Sequence, residues 1–460
     1  MARKKGAWYL EKHLMNRTLY AFTFVAALGG LLFGFDTAVI NGAMPFFTDY
    51  FELNQTLQGW AVSSALVGCI IGALLIGRPG DYFGRRSMLR FLALLFLISA
   101  IGTGLATNLT WFVIFRFIGG IAVGGASVLS PMYISEIAPP EYRGRLTITF
   151  QLAIVIGILV AFFSDYLLLN TGKNNWRWMF FAEGLPALVF YTLLFFVSKS
   201  PRWLVKNGDL ESARAIIAKV NPGVNINKVI DEINQSIDTE IISKSIYLFK
   251  KPYLKLVILG IAVGFFNQFT GINIIMYYAT DIFRSVGFST NSAIGQTVII
   301  GLTNLVFTLV AMKVIDHFGR KSLLLVGSLG MTVFLGLFSW AYINGNFQGF
   351  VLLILLIGFI AFFASSQGAV IWVLLAEMFP NNVRARGTAI GAFSHWFFNG
   401  LTSFLFPILA GAFSSGKGIG YIFGFYALVT FLSYFYFKRF LVETKGKSLE
   451  ELEKVVLKLE

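Results

Sequence analysis

The sequence predicts an all-α membrane protein: twelve transmembrane helices in two pseudo-symmetric six-helix bundles, with short cytoplasmic helices between them. Three observations carry that prediction. The 460 residues are 56% hydrophobic and only 13% charged, against the roughly 25% charged expected of a soluble domain. Apolar runs of about 20 residues, enough to cross ~30 Å of hydrocarbon as helices, follow one another along the chain. Two polar motifs of the first half return in the second. The same composition excludes disorder, whose signature is low hydrophobicity. It also excludes one soluble domain, because single cores stop growing near ~250–300 residues.

The spans fall at about 19–41, 57–77, 88–107, 111–135, 147–169, 178–198, 253–286, 291–315, 322–343, 348–378, 385–412 and 418–441. The first lacks a small-residue cleavage site and is followed by more chain of its kind, which predicts a retained helix. Four segments result: a six-helix bundle over 1–198, a cytoplasmic helical linker over 199–251, a second bundle over 252–441, and a cytoplasmic tail over 442–460. In the linker, Asp209 followed by Leu210, Ala213, Ile216, Ile217 and Val220 has a helix start and a period near 3.6. Ile226 to Ile242 carries a second amphipathic pattern.

Cations set the orientation. With both termini on one side, 32 of the 37 Lys and Arg residues gather there. The positive-inside rule then makes both termini cytoplasmic, in a plasma or inner membrane. The net charge of +14 becomes a solvated rim that touches anionic membrane lipid, with no nucleic-acid partner. Cys69 is the only cysteine, so no disulfide or thiolate cluster forms within the chain. His13, His317 and His395 are too scattered for a metal site. No catalytic constellation stands on a plausible face, and neither an enzyme nor a cofactor is expected. Asn54-Gln-Thr and Asn108-Leu-Thr are glycosylation triplets that matter only in a secretory pathway.

The halves repeat each other. Asp81-Tyr-Phe-Gly84-Arg85-Arg86 returns as Asp316-His-Phe-Gly319-Arg320-Lys321. Glu136-x-x-Pro139-x-x-x-Arg143-x-Arg145 returns as Glu377-x-x-Pro380-x-x-x-Arg384-x-Arg386. A duplicated pair of bundles is an architecture that binds substrate at the midplane between its halves. Asp81, Arg85, Arg86, Glu136, Arg143, Asp316, Arg320, Glu377 and Arg384 form a candidate cytoplasmic latch, in which Glu136, Arg143, Glu377 and Arg384 pair between the halves. The alternative is that they anchor loops to the membrane surface. Exposed ion pairs contribute only ~0–1 kcal/mol each, which suits a latch broken every cycle.

Ionisable residues inside spans are the strongest functional pointers. Asp36 in the first span and Arg116 in the fourth are natural partners. A carboxylate whose proton affinity depends on conformation is what proton coupling requires; the alternative is a fixed structural pair. A second group is made of amides. Gln151 lies in the fifth span, Asn267, Gln268 and Asn273 with Tyr277 and Tyr278 in the seventh, Asn304 in the eighth, and His395, Trp396 and Asn399 in the eleventh. Trp372 in the tenth adds an aromatic face. Amides offer donors and acceptors without charge, which matches a neutral polyhydroxylated ligand; singly, each suits an interhelical hydrogen bond.

Over about 19–452 the chain resembles the sugar porters of the major facilitator superfamily, including bacterial proton-linked monosaccharide symporters and glucose facilitators. The matching pieces are Gly34-Phe-Asp36-Thr-Ala-Val-Ile40, Asp81-x-x-Gly84-Arg-Arg86, Arg116-Phe-x-Gly-Gly120, Pro131-x-Tyr133-x-Ser-Glu136, Trp176-Arg177-Trp178-Met179, Ser200-Pro201-Arg202-Trp203, Gln268-Phe-Thr-Gly-Ile-Asn273 and Glu443-Thr-Lys-Gly446. The resemblance implies the major facilitator fold, Glu443 as a further latch residue, and Asp36 as proton carrier tuned by Arg116. It also implies that Gln151, Gln268, Asn273, Asn304, Trp372, Trp396 and Asn399 face the sugar, with Phe33, Tyr278, Phe363 and Gly368 nearby. Asn267 replaces the first Gln of a usual Gln-Gln pair, and His395 stands where an amide is common.

The function expected is uptake of a monosaccharide, hexose or pentose, with H⁺ by alternating access, performed by a monomer. A uniporter of the same fold is the nearest alternative. A non-transporting sugar sensor is more remote, because about 19 residues follow the last span where a signalling tail would be expected.

Overall fold

The computed structural model describes residues 17–139, 142–243, 248–250, 253–345, 350–379, 383–413, 416–443 and 445. His13, Pro380 and all of the tail beyond 443 except residue 445 lie outside that set, as do the side chains of Asp316 and Arg384. Every regular element among the described residues is a helix.

The first half consists of α1 (Arg17–Tyr50), α2 (Gln55–Leu75), the short α3 (Gly77–Phe83), α4 (Arg85–Leu105), α5 (Leu109–Ile137), α6 (Arg143–Leu168) and α7 (Asn175–Leu193). Helix α1 runs nine residues past the expected 41, because Ala43, Met44 and Phe47 still find buried places beyond it. The asparagines of both glycosylation triplets act as N-caps: Asn54 Oδ1 accepts from the Leu57 amide at 2.9 Å and Asn108 Oδ1 from the Trp111 amide at 3.1 Å. Each satisfies a donor that the helix start would leave unpaired.

The linker contains α8 (Pro201–Lys206), α9 (Leu210–Val220) and α10 (Ile226–Ser243). Asp209 caps α9 by accepting from the Ser212 amide at 3.1 Å. Leu204, Val205, Ala213, Ile217 and Ile230 give these helices a small core. Trp203 Nε1 donates to Asp81 O at 2.9 Å, so α8 is tied to the motif loop of the first half.

The second half consists of α11 (Leu254–Gln268), α12 (Ile272–Ser285), α13 (Thr290–Phe318), α14 (Arg320–Ile343), α15 (Val351–Ser365), α16 (Gln367–Glu377), α17 (Arg384–Gly411) and α18 (Gly418–Phe440). Two expected spans are therefore broken. Gly271, with φ of +81°, separates α11 from α12, and Ser366 separates α15 from α16. Backbone broken inside an apolar slab is tolerated where it is buried in protein or lines a cavity.

Among the described residues, ten helical stretches are long and apolar enough to cross a membrane, counting α11 with α12 and α15 with α16 as one each. Helices α7 and α17 hold the places of the sixth and eleventh expected spans. Arg177 and Glu183 in the one, and Arg386, His395 and Asn399 in the other, dilute their apolar character.

Small residues bring backbones together. A Cβ at Gly120 or Gly124 of α5 would collide with the α2 main chain at Ala65 or Cys69, and one at Gly34 of α1 with the α6 carbonyl of Ile154. Such contacts are how helices associate where lipid is as apolar as their side chains. Between halves, α2 packs on α17, α6 on α13 and α1 on α12. The duplication is visible in the backbone too. Gly84 and Gly319, at matching places in the motif, have φ of +85° and +84° and each stops one helix and starts the next.

Candidate substrate cavity and buried charge pair

Midway along the seam, a cavity is walled from the first half by Phe33, Thr37, Gln151 and Ile158. From the second half come Asn267, Asn273, Tyr277, Asn304, Phe363, Gln367, Gly368, Trp372, His395, Trp396 and Asn399. Of the sugar-facing residues expected from the sequence, Gln268 and Tyr278 stand outside this wall. Gln268 is 1% exposed and serves as the bracket behind it. Its Nε2 donates to Asn267 Oδ1 at 2.8 Å and lies 3.0 Å from His395 Nδ1, while its Oε1 accepts from Asn273 Nδ2 at 2.6 Å. Tyr278 instead donates to Ser403 O at 2.8 Å, and its neighbour Tyr277 faces the cavity, accepting from Asn399 Nδ2 at 3.1 Å.

Thr37, Thr308 and Gln367 also line the cavity without having been singled out in the sequence. Gln367 is the first residue after the α15–α16 break, and its Oε1 accepts from Asn267 Nδ2 at 3.3 Å. An amide beside a helix break was the missed signal. The aromatic members form a partial cage: the Phe33 and Trp396 centroids are 5.3 Å apart, and those of Trp372 and His395 5.0 Å. The wall thus combines several amides, two indoles and an imidazole without a carboxylate among its residues.

Directly behind it lies the charge pair. Phe33 and Thr37 present one face of α1 to the cavity, and Asp36 projects from another toward α5. Arg116 Nη1 donates to Asp36 Oδ1 at 2.7 Å and Arg116 Nη2 to Asp36 O at 3.1 Å. The two residues are 1% and 2% exposed. Gly119 makes room, since a Cβ there would come within 3.2 Å of Asp36 Oδ1. Glu183 of α7, fully buried, sets its carboxyl beside that of Asp36. The sequence reading passed over Glu183, although an acidic residue inside an expected span is the same kind of signal as Asp36.

At one end of the seam the halves are stitched by polar side chains. Asn41 Nδ2 donates to Met276 O at 3.0 Å, and the Thr280 amide donates to Asn41 Oδ1 at 2.9 Å. Gln58 Nε2 donates to Asp281 Oδ2 at 2.8 Å. The repeated motifs lie at the other end, where the ion pairs described for Arg85 and Arg320 close within each half; the Arg384 side chain, one of those expected to pair between halves, lies outside the described residues. Arg85 contacts Asp81 at 2.8 Å and Glu136 at 2.9 Å; Arg320 contacts Glu377 at 3.3 Å. Each arginine opens a helix whose start abuts the end of the helix carrying its glutamate, so the nearest partner belongs to its own half. Arg86 donates to Val197 O at 2.8 Å and Arg143 Nε to Ser135 O at 3.0 Å. Glu443 accepts from the amides of Arg320 and Lys321, both at 2.9 Å.

A family profile described as sugar (and other) transporter matches residues 22–456. The chain belongs to the sugar transporter family. Among its relatives, the D-xylose-proton symporter of Escherichia coli (strain K12) is 38% identical over 475 residues, covering 95% of each chain. The glucose transport protein of Synechocystis sp. is 39% identical over 451 residues, covering 93% of this chain and 95% of its own. The solved inward open conformation of the xylose transporter XylE from E. coli matches with a TM-score of 0.84 at 36% identity, over 95% of this chain and 99% of that one. With its many apolar helices, this sugar transporter family member is a multi-pass membrane protein.

Proposed function

We propose that the chain is a secondary active transporter that takes up a monosaccharide together with H⁺ by alternating access. The observation that carries this reading is the buried Asp36–Arg116 pair on the helix whose other face, at Phe33 and Thr37, walls an amide-lined cavity. Relatives named for proton symport of D-xylose and for glucose transport support it. The architecture in this reading is twelve spans in two six-helix bundles, the α7 and α17 helices completing the count, with both termini and the linker on the cytoplasmic side.

Sugar hydroxyls exchange hydrogen bonds with Gln151, Asn267, Asn273, Asn304 and Asn399, and the ring C–H face rests on Trp372 or Trp396. Gln268 fixes the wall from behind. A proton on Asp36 weakens its hold on Arg116, and release of that hold lets α1 and α5 shift against the sugar-filled second half. At about 2.3 kcal/mol per charge per 100 mV, one proton sustains roughly tenfold or greater accumulation. The stitched end of the seam is the outer end in this reading, and the motif end, whose pairs close within each half, faces the cytoplasm. That assignment fits the likeness to an inward open conformation. In the opposite state, Glu136, Arg143, Glu377 and Arg384 are positioned to meet across the closed cytoplasmic end.

Proteoliposomes test the proposal. Labelled hexose and pentose should accumulate under an imposed proton gradient, collapse with a protonophore, and move protons when added. Sugar uptake that carries no proton movement would make the chain a uniporter.

A further inference from the structure

A second buried carboxyl stands apart from the Asp36 pair. Asp165 of α6 is 0% exposed, and neither of its oxygens has a hydrogen-bond partner. It packs against α1 at Gly42, where a Cβ would come within 2.5 Å of its Oδ2, so only glycine leaves the carboxyl its room. The acidic, basic and histidine residues on the helices packed against α6 are Arg17, Asp36 and Asp49 on α1, Arg116 and Glu136 on α5, Arg177 and Glu183 on α7, and Lys313, Asp316 and His317 on α13. None of the described side chains among these hydrogen-bonds to either Asp165 oxygen. A carboxylate buried with neither counter-charge nor donor is strongly disfavoured, so the group in this conformation holds its proton.

Its place in the fold says what that proton does. Gly42 follows Asn41, whose side chain stitches the outer seam to α12. On its own helix, Phe162 and Tyr166 bracket Asp165 and reach the second half: Cβ atoms at Gly301 and Gly295 of α13 would meet their rings at 3.0 and 3.5 Å. The carboxyl is therefore sealed by the contacts that part when the outer end opens. By contrast, Asp36 lies six residues earlier on α1, roughly 9 Å along the helix.

We propose that Asp165 is a second proton-binding site, which must be neutral for the outer seam to close and which exchanges its proton with the outer medium when the seam opens. The proton is bound and returned on the same side, so it gates closure without adding to the transported charge. The proposal rests on the alternating-access reading and not on the role of Asp36.

The sign follows directly. Raising outer pH removes the proton, disfavours closure and slows exchange, by about tenfold per pH unit once the group titrates. Equilibrium exchange of labelled sugar in right-side-out vesicles, with inner pH fixed and outer pH raised, measures this. Wild type and Asp36→Asn should both show the alkaline fall. Asp165→Asn and the smaller Asp165→Ser should flatten it while keeping uphill uptake. An alkaline fall undiminished in both neutral variants overturns the proposal, as does loss of proton-coupled accumulation in them. If neither neutral variant folds while Asp165→Glu does, the site requires an ionising carboxyl and the proposal also fails. Absence of exchange in wild type would instead strike the alternating-access reading.

Discussion

In the first half of the chain the polar groups buried in the bundle include ionisable side chains on unbroken helices, whereas in the second half those described are hydroxyls and amides, with three of the amides gathered beside helix breaks. Asp36, Arg116, Asp165 and Glu183 all lie on α1, α5, α6 or α7, whose backbones run continuously. Asn267, Gln268 and Gln367 flank the breaks at Gly271 and Ser366. The contrast follows from what each group needs. A buried charge must have its partners held in place, since their loss leaves an uncompensated ion, and continuous helices interlocked at Gly34 and Gly120 supply that rigidity. Amides that trade partners with a neutral ligand tolerate, and profit from, backbone that bends.

The comparison breaks most visibly at Asp36. Asp36→Asn should abolish uphill uptake altogether while leaving sugar counterflow, measured in vesicles with and without a protonophore; a mutant that still concentrated sugar would remove the first half from proton coupling. Next in size is Gln268→Ala, which leaves Asn267, Asn273 and His395 without their bracket. Buried groups deprived of a partner lose about 1–3 kcal/mol each, so the KM for sugar should rise roughly tenfold or more with the proton-to-sugar ratio unchanged. A changed ratio would mean that the second half shares in proton handling.

Asn41→Ala sharpens the comparison at the seam itself. Net loss of about 1 kcal/mol should shift the population roughly fivefold toward an open outer end, read by thiol labelling of a cysteine placed in the outer seam. The smallest effect belongs to Arg320→Gln. An ion pair this close to solvent contributes ~0–1 kcal/mol, and exchange rates should change by about twofold; a far larger loss would give the motif a role beyond bracing its own half.

Much of this was legible in the sequence because the relevant signals are local. Apolar run length placed the helices, and the repeated Asp-x-x-Gly-Arg loop announced two like halves that share even the positive φ of Gly84 and Gly319. Asp36 and Arg116 stood out because charge is scarce there, and most of the expected amides line one cavity. What was not legible is set by contacts across the fold. Gln268 and Gln367 are equally buried, yet only the second reaches the cavity wall, and each adjoins a different helix break. Tyr277 and Tyr278 are adjacent and alike, and helix rotation alone decides that the first faces the cavity. The direction of the Arg85 and Arg320 pairs, within halves instead of across them, depends on conformation, which no residue pattern records.

The stitch made by Asn41 has a further consequence. Met276 O and the Thr280 amide are four residues apart on α12, the acceptor and donor that a regular helix joins to each other. The Asn41 amide bonds to both at once, donating to one and accepting from the other. When the outer end opens and Asn41 withdraws, the two backbone groups retain each other as the partners a regular helix provides, so nothing is left unsatisfied. The grip also reads main chain only. Apart from Asp281, which accepts from Gln58 at the same seam, side chains along α12 are thereby free to drift in evolution, and sugar preference can be retuned at Asn273 or Tyr277 without retuning the Asn41 grip.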